Sequence, residues 1–256
     1  MAISVVIGTY NSSRYLREVL HHVKDFDEII VYDTGSTDNT TEIAEEEGCR
    51  VISTPRDPDD TSHHHNTAIQ SASSDWVLLI RPNELVPEGL LRYLEDFTRN
   101  PGETRGLFVP RRNFLMDREL TEAYPDFRLR FFLRAGTIWC EDEDSGGLPS
   151  VCGAIDRIPA HRKELSLVRL PKPIEETVGH LEESCGNLIT GYRKISLQHI
   201  VYATTGAFMR EYILKGKIRY GTAGYIDAVN AAMKAFYIHA RRHEAYIKGK
   251  NKNRLK

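Results

Sequence analysis

Three short clusters in this chain combine polar or charged side chains with small residues in a way suited to ligand chemistry. Asp33-Thr34-Gly35-Ser36 places a hydrogen-bond-accepting carboxylate just before residues small enough to let backbone approach a ligand closely. Thr9-Tyr10-Asn11 contributes a hydroxyl and an amide beside it. Arg81-Pro82-Asn83-Glu84 joins a forked cation to an amide and a carboxylate. The run His63-His64-His65 has a zinc ligand's chemistry, but three successive side chains diverge on a helix or a strand, so no metal site is expected there. Cys49, Cys140, Cys152 and Cys185 form no C-x-x-C pair and read as reduced thiols rather than as a metal or redox motif.

These clusters need elements to hold them. Ile3 to Gly8, Glu28 to Tyr32, Arg50 to Ser53 and Trp76 to Ile80 are short apolar runs of the kind that forms strands buried on both faces. Between them lie helical patterns. Asn11-Ser12-Ser13 is placed to cap a helix carrying Tyr15, Leu16, Val19, Leu20 and Val23; a second runs from Asp38, itself a cap residue, to Glu47 and stops at Gly48; a third spans His65 to Ala72. Strand–helix–strand repetition with short links implies right-handed crossovers and a mostly parallel, doubly wound sheet. Ligands of such a sheet sit at the carboxyl ends of its strands, which is where all three clusters fall.

Further along, Gly106 to Arg111 and Phe127 to Leu133 read as strands, the latter alternating Phe127, Leu129 and Phe131 with Arg128 and Arg130. Cys140 to about Glu183 is rich in Pro, Gly and charge and is expected to be loop. Thr204 to Lys215 and Ala223 to Lys248 are helical patterns. The expected organisation is an α/β domain over residues 1–200 and a helical extension with a basic tail over 201–256.

The 256 residues carry 34 Lys and Arg against 36 Asp and Glu, a net charge of −2 that argues against a globally basic nucleic-acid binder. No apolar run reaches the ~18–20 residues of a membrane span, and the N-terminus lacks the pattern of a secretory signal, so a cytoplasmic setting is expected. The charge is unevenly spread. Residues 1–60 carry −8, whereas residues 241–256 carry +6, a tail suited to solubility or to contact with anionic lipid or nucleic-acid phosphate.

Taken together, Val5-Val6-Ile7-Gly8-Thr9-Tyr10-Asn11 and the run Asp27 to Thr40, with Asp33-Thr34-Gly35-Ser36-Thr37-Asp38 inside it, resemble the family 2 inverting glycosyltransferases of A-type fold, a Rossmann-like, mostly parallel sheet flanked by helices. The closest likeness is to the lipopolysaccharide-core β-glucosyltransferase branch. His65-Asn66-Thr67-Ala68 is similar to the family's R-N-x-A helix, and Phe127 to Phe132 with Gly136 to Trp139 to its R-L-F…G…W segment. Leu197-Gln198-His199 and Gly224 to Asp227 look like its L-x-H and G-x-x-D stretches.

The resemblance implies transfer of a sugar, with inversion, from a nucleotide-sugar donor (a UDP-sugar foremost) to a saccharide or lipid-linked saccharide at or near the inner membrane. Thr9, Tyr10, Asn11, Asp33, Gly35, Ser36, His65, Asn66, Arg81, Asn83 and Glu84 would line the donor crevice. Asp33 would accept from base or ribose. The family places D-x-D after its fourth strand to hold Mg²⁺ or Mn²⁺; here Arg81 and Asn83 replace the aspartates, and a guanidinium is no ligand for a hard cation. Either Arg81 stands in for the metal, with Asn83 donating a further hydrogen bond and Glu84 holding Arg81 or a sugar hydroxyl, or the chain is an inactive nucleotide-sugar-binding relative. The family's V-H-E stretch points to Glu182 as the catalytic base, within Val178-Gly179-His180-Leu181-Glu182, with Asp142 of the acidic run after Trp139 as the alternative. A third reading keeps the chemistry but acts on hydroxylated bases in DNA, with Arg111-Arg112 and the tail gripping phosphate.

Overall fold

The computed structural model describes residues 2–54, 61–115, 118–121, 124–140, 148–171 and 196–254. Two compact units divide the chain: 1–114 with 119–170, and 115–118 with 171–256.

The first unit is built on one sheet. Its first half alternates β1 (Ile3–Thr9), α1 (Ser13–Val23), β2 (Glu28–Asp33), α2 (Thr40–Glu46), β3 (Arg50–Ser53), α3 (Thr61–Gln70) and β4 (Trp76–Ile80). β5 (Glu84–Leu85) and α4 (Glu88–Arg99) follow. The second half brings β6 (Thr104–Leu115), β7 (Arg118–Glu119), β8 (Asp126–Leu133), β9 (Thr137–Cys140), β10 (Leu148–Val151), β11 (Ala154–Arg157) and β12 (Leu167–Arg169). The sheet order is β3-β2-β1-β4-β8-β6-β12-β5, with β11 also on β6, while β9 and β10 form a separate hairpin. β3, β2, β1 and β4 are mutually parallel; β8 enters antiparallel to both β4 and β6.

Alternation along the central strands divides the core between the two faces. Val5 and Ile7 of β1 and Trp76, Leu78 and Ile80 of β4 face one side, with Leu16, Val19 and Leu20 of α1 and Leu90 and Leu94 of α4. Val6, Val77 and Leu79 face the other, with Ala68 and Ile69 of α3. Strands covered on both sides must be apolar throughout, which is why these runs stand out in the sequence.

Two expectations change here. Asn11-Ser12-Ser13 does not cap α1 through its own side chains: Ser12 is the N-cap without a side-chain bond, and Asp38 Oδ2 accepts from the Ser13 N–H at 3.1 Å. The segment 140–183 is not all loop, because β10, β11 and β12 lie within it. Strands of three or four residues on a sheet edge or hairpin carry too little periodicity to be seen against a Pro- and Gly-rich background.

The second unit holds α5 (Leu197–Met209), a π-turn over Arg210–Leu214, a 3₁₀ turn over Lys217–Tyr220 and the 34-residue α6 (Gly221–Arg254). Gly224 is required by space: a Cβ there would stand 1.9 Å from the Lys217 carbonyl oxygen.

Candidate functional site

The carboxyl ends of β1 and β2 are tied to each other by their own polar groups. Asp33 is 1% exposed. Its Oδ1 accepts from the hydroxyls of Thr9 (3.0 Å) and Ser36, and its Oδ2 from the backbone N–H of Gly35 (3.1 Å) and Ser36 (2.8 Å). Gly35, at φ 88°, lies where a Cβ is disfavoured, so the turn needs glycine there. Asn11 also has positive φ, 45°, and is held there from two directions: its N–H donates to Ser36 Oγ and its Oδ1 accepts from the Thr37 N–H, both at 2.8 Å. Thr9, Asn11, Asp33, Gly35 and Ser36 are thus one hydrogen-bonded structure, with Tyr10 half-buried beside it. Asp33 and Thr9 shape the turn from inside; Gly35 and Thr37 are its exposed surface.

Opposite, α3 contributes Asn66 and His65. The Asn66 amide clamps β9, donating to the Trp139 carbonyl (3.2 Å) and accepting the Trp139 N–H (2.7 Å). His65 stacks on the Trp139 ring at 4.0 Å between centroids. Burial first, then Arg81 and Arg130, push the His65 pKa down to about 4, so the ring is neutral at pH 7. His64 points elsewhere, to the Tyr32 hydroxyl at 3.3 Å, as divergent neighbours on a helix must. Among the described residues no group of His, Cys, Asp or Glu is arranged to hold a metal ion.

The end of β4 is dominated by arginine. Glu84 is completely buried. Its Oε1 accepts from Arg111 Nη1 (2.7 Å) and Arg130 Nη2 (3.1 Å), and its Oε2 from the backbone N–H of Arg81 (3.0 Å). Burial alone would raise the Glu84 pKa; Arg130 and Arg111 outweigh it and hold the carboxyl at about 2. Glu84 therefore binds Arg81 through backbone only, and its charge goes to two other arginines. Asn83 is also committed, donating to the Leu170 carbonyl at 3.1 Å.

Arg81 has solvent on its open side, yet enough protein surrounds it that burial, followed by the like charges of Arg130, Arg169 and Arg111, lowers its pKa to about 10. It stays fully charged at pH 7. Arg169, half-buried on β12, feels the same crowding. Neither Arg81 nor Arg169 has an ion-pair partner among the described residues. The buried Nε of Arg130 likewise has no hydrogen-bond partner. The result is an excess of positive charge beside the strand ends, which is suited to an anion.

The sequence signals foresaw Arg81 at this place but not the convergence of Arg111, Arg130 and Arg169 upon it. Pairing of β8 and β12 with β6 creates that convergence, and the sequence offers no local sign of either register. The expected phosphate grip of Arg111-Arg112 on DNA is overturned. Arg111 is 3% exposed and also pairs with Asp126, while Arg112 pairs with Glu119 at 2.9 Å. Glu182 and Asp142 lie outside the described residues.

Residues 4–129 match the family model "Glycosyl transferase family 2". A TPR repeat-containing protein of Synechococcus elongatus is 39% identical over 83 residues, which are 32% of this chain and 20% of that one, so the chain spans a fifth of this relative's length. The structure of Staphylococcus aureus TarS residues 1–349 is 15% identical with a TM-score of 0.50, covering 97% of this chain and 92% of that one. Glucosyl-3-phosphoglycerate synthase of Mycobacterium tuberculosis, in complex with Mn²⁺, UDP and phosphoglyceric acid, is 18% identical with a TM-score of 0.47, covering 70% and 73%. Residues 4–129, just under half of the chain, are thus similar to a family 2 glycosyltransferase domain, and the sheet has the A-type fold.

Proposed function

We propose that the chain is a nucleotide-sugar glycosyltransferase that binds its donor diphosphate through arginine in place of a divalent cation. The observation that carries this reading is the combination of an exposed Arg81 at the end of β4, without an ion-pair partner among the described residues, with a Glu84 whose oxygens are already taken. The described residues at this position do not fit Mg²⁺ or Mn²⁺: one is a cation, Asn83 is turned to Leu170, and Glu84 has no oxygen free of arginine or backbone. A guanidinium supplies forked donors to two phosphate oxygens and part of the charge neutralisation a metal would give.

The nucleotide lies over the turn Asp33 to Thr37 and beside Tyr10 and Asn11, with Asp33 acting as the residue that shapes the turn. The reaction is direct displacement with inversion. An acceptor hydroxyl attacks the anomeric carbon opposite the leaving nucleoside diphosphate, and a carboxylate, Glu182 or in its place Asp142, takes the hydroxyl proton. Arg81 holds the diphosphate as negative charge develops on the leaving oxygen. The acceptor is a saccharide or lipid-linked saccharide of the lipopolysaccharide-core type, met in the cytoplasm.

A second reading, an inactive nucleotide-sugar binder, draws on the same loss of the metal-holding aspartates. A thermal-shift screen with UDP-, GDP-, ADP- and TDP-sugars, each with Mn²⁺ and with EDTA, followed by a transfer or donor-hydrolysis assay, separates the two. Stabilisation with turnover in EDTA supports the transferase; stabilisation without turnover under any condition supports the binder. No stabilisation by any donor refutes both.

A further inference from the structure

The second unit has a surface that the glycosyl-transfer reading does not use. Eleven of the thirteen exposed large hydrophobic side chains among the described residues fall between Leu197 and Ile247. On α6 Tyr225, Met233, Phe236 and Ile247 are separated by eight, three and eleven residues, all close to whole helical turns, and so lie on one side of a helix of 34 residues. Met233 is 50% and Phe236 51% exposed, whereas Ala228 and Ala232 are buried. Leu197 and Tyr202 of α5 are more open still, at 76% and 77%.

The charge around this apolar surface is one-sided. Residues 197–256 carry twelve Lys and Arg against three Asp and Glu, a net +9 in a chain whose total is −2. Two of the three carboxylates are already committed: Glu211 is buried and pairs with Lys215 and Lys217, and Asp227 pairs with Lys217. Six of the chain's twelve tyrosines lie in the same sixty residues, a residue whose apolar ring and polar tip suit a boundary between water and hydrocarbon.

We infer that the α5–α6 hairpin docks on the surface of an anionic lipid bilayer, its apolar stripe at the headgroup–acyl boundary and its lysines and arginines against lipid phosphate. Charge selects this occupant. A second copy packed hairpin against hairpin would bring +9 against +9. A nucleic acid would use the cations but leave the exposed Met, Phe, Leu and Ile side chains in water. A bilayer rich in acidic headgroups satisfies both. No helix among the described residues is long and apolar enough to cross a membrane, so the hairpin lies on the surface. The inference is independent of the transferase chemistry.

The test is co-sedimentation of the full chain with phosphatidylcholine vesicles and with vesicles containing about one-third phosphatidylglycerol, at low and high salt. Two variants accompany it: Met233→Asp with Phe236→Asp, and Lys234→Glu with Lys248→Glu and Lys250→Glu. Met233, Lys234 and Phe236 are exposed, and circular dichroism checks that the fold is kept. The inference predicts binding to the anionic vesicles only, weakened by salt, and reduced at least about tenfold in either variant. It is overturned if the anionic vesicles capture nothing or if both variants bind as the parent does. It is equally overturned if light scattering finds a lipid-free dimer that the Met233/Phe236 variant dissociates, or if duplex DNA is bound more tightly than the vesicles and the same variant leaves that binding intact.

Discussion

Replacing Glu84 by Gln keeps the shape of the side chain and removes the one fully buried carboxylate among four crowded arginines. The size of the effect follows from the carboxyl itself. Its pKa of about 2, against an ordinary 4.5, corresponds to ~3 kcal/mol favouring the charged form in the folded state. Breaking a buried ion pair by removing one partner costs about 3–5 kcal/mol by a separate line of argument. Glu84→Gln should therefore lower stability by ~3 kcal/mol at pH 7, or roughly 6–12 °C in the thermal midpoint of a chain this long. The sign with pH is also determined. A depressed folded pKa gives stability that is complete above 4.5 and is lost as pH falls toward 2, so the parent should lose it over that window while the variant has already lost it. Thermal melts and urea titrations from pH 7 to pH 3 measure both features. A loss below ~1 kcal/mol at pH 7, or equal acid sensitivity in parent and variant, would refute the reasoning.

Asp33→Ala removes the acceptor of four hydrogen bonds in the β1–β2 turn, so UDP affinity measured by calorimetry should fall by about 1.5–3 kcal/mol; an unchanged affinity in a folded variant removes the turn from the site. His65 should show an NMR titration midpoint near 4, with stability falling as pH drops from 6.5 toward it because only the unfolded state takes the proton readily; a midpoint above 6 contradicts the cationic surroundings assigned to it. Asn66→Ala leaves the Trp139 backbone N–H and carbonyl without partners and should cost about 1–3 kcal/mol in urea unfolding, whereas a neutral result means that β9 is held some other way. Cys152 is exposed, while burial followed by Glu47 raises the Cys49 thiol to about 11, so alkylation at pH 8 should label Cys152 well ahead of Cys49, and mass spectrometry reads the order.

How legible this molecule is depends on the distance over which each feature is built. β1, β2, β3 and β4 are continuous apolar runs because both faces are covered, and the clusters at their carboxyl ends follow from the strand–helix alternation alone. The acidic cap of α1 was hidden because Asp38 reaches it from 25 residues away. The short strands β10 to β12 were hidden by their length. At the site, Arg81 was visible as a cation where the resemblance implied a carboxylate, but Glu84's true partners belong to β6 and β8. Arg130 alternates with apolar residues like an outward-facing side chain, and only the sheet register reveals that it turns onto a buried glutamate. The density of arginine around Arg81 is a property of strand pairing, which no local spacing encodes.

The account's central claim is that arginine takes the place of a metal at the donor diphosphate. Calorimetric titration of a UDP-sugar into the parent and into Arg81→Ala, each with EDTA and with Mn²⁺, tests it most directly. The account predicts the same affinity in EDTA and Mn²⁺ for the parent and a loss of about 1.5–3 kcal/mol in the variant, roughly 10- to 150-fold, with UMP affected less. Binding that EDTA abolishes and Mn²⁺ restores, with Arg81→Ala indistinguishable from the parent, would contradict it.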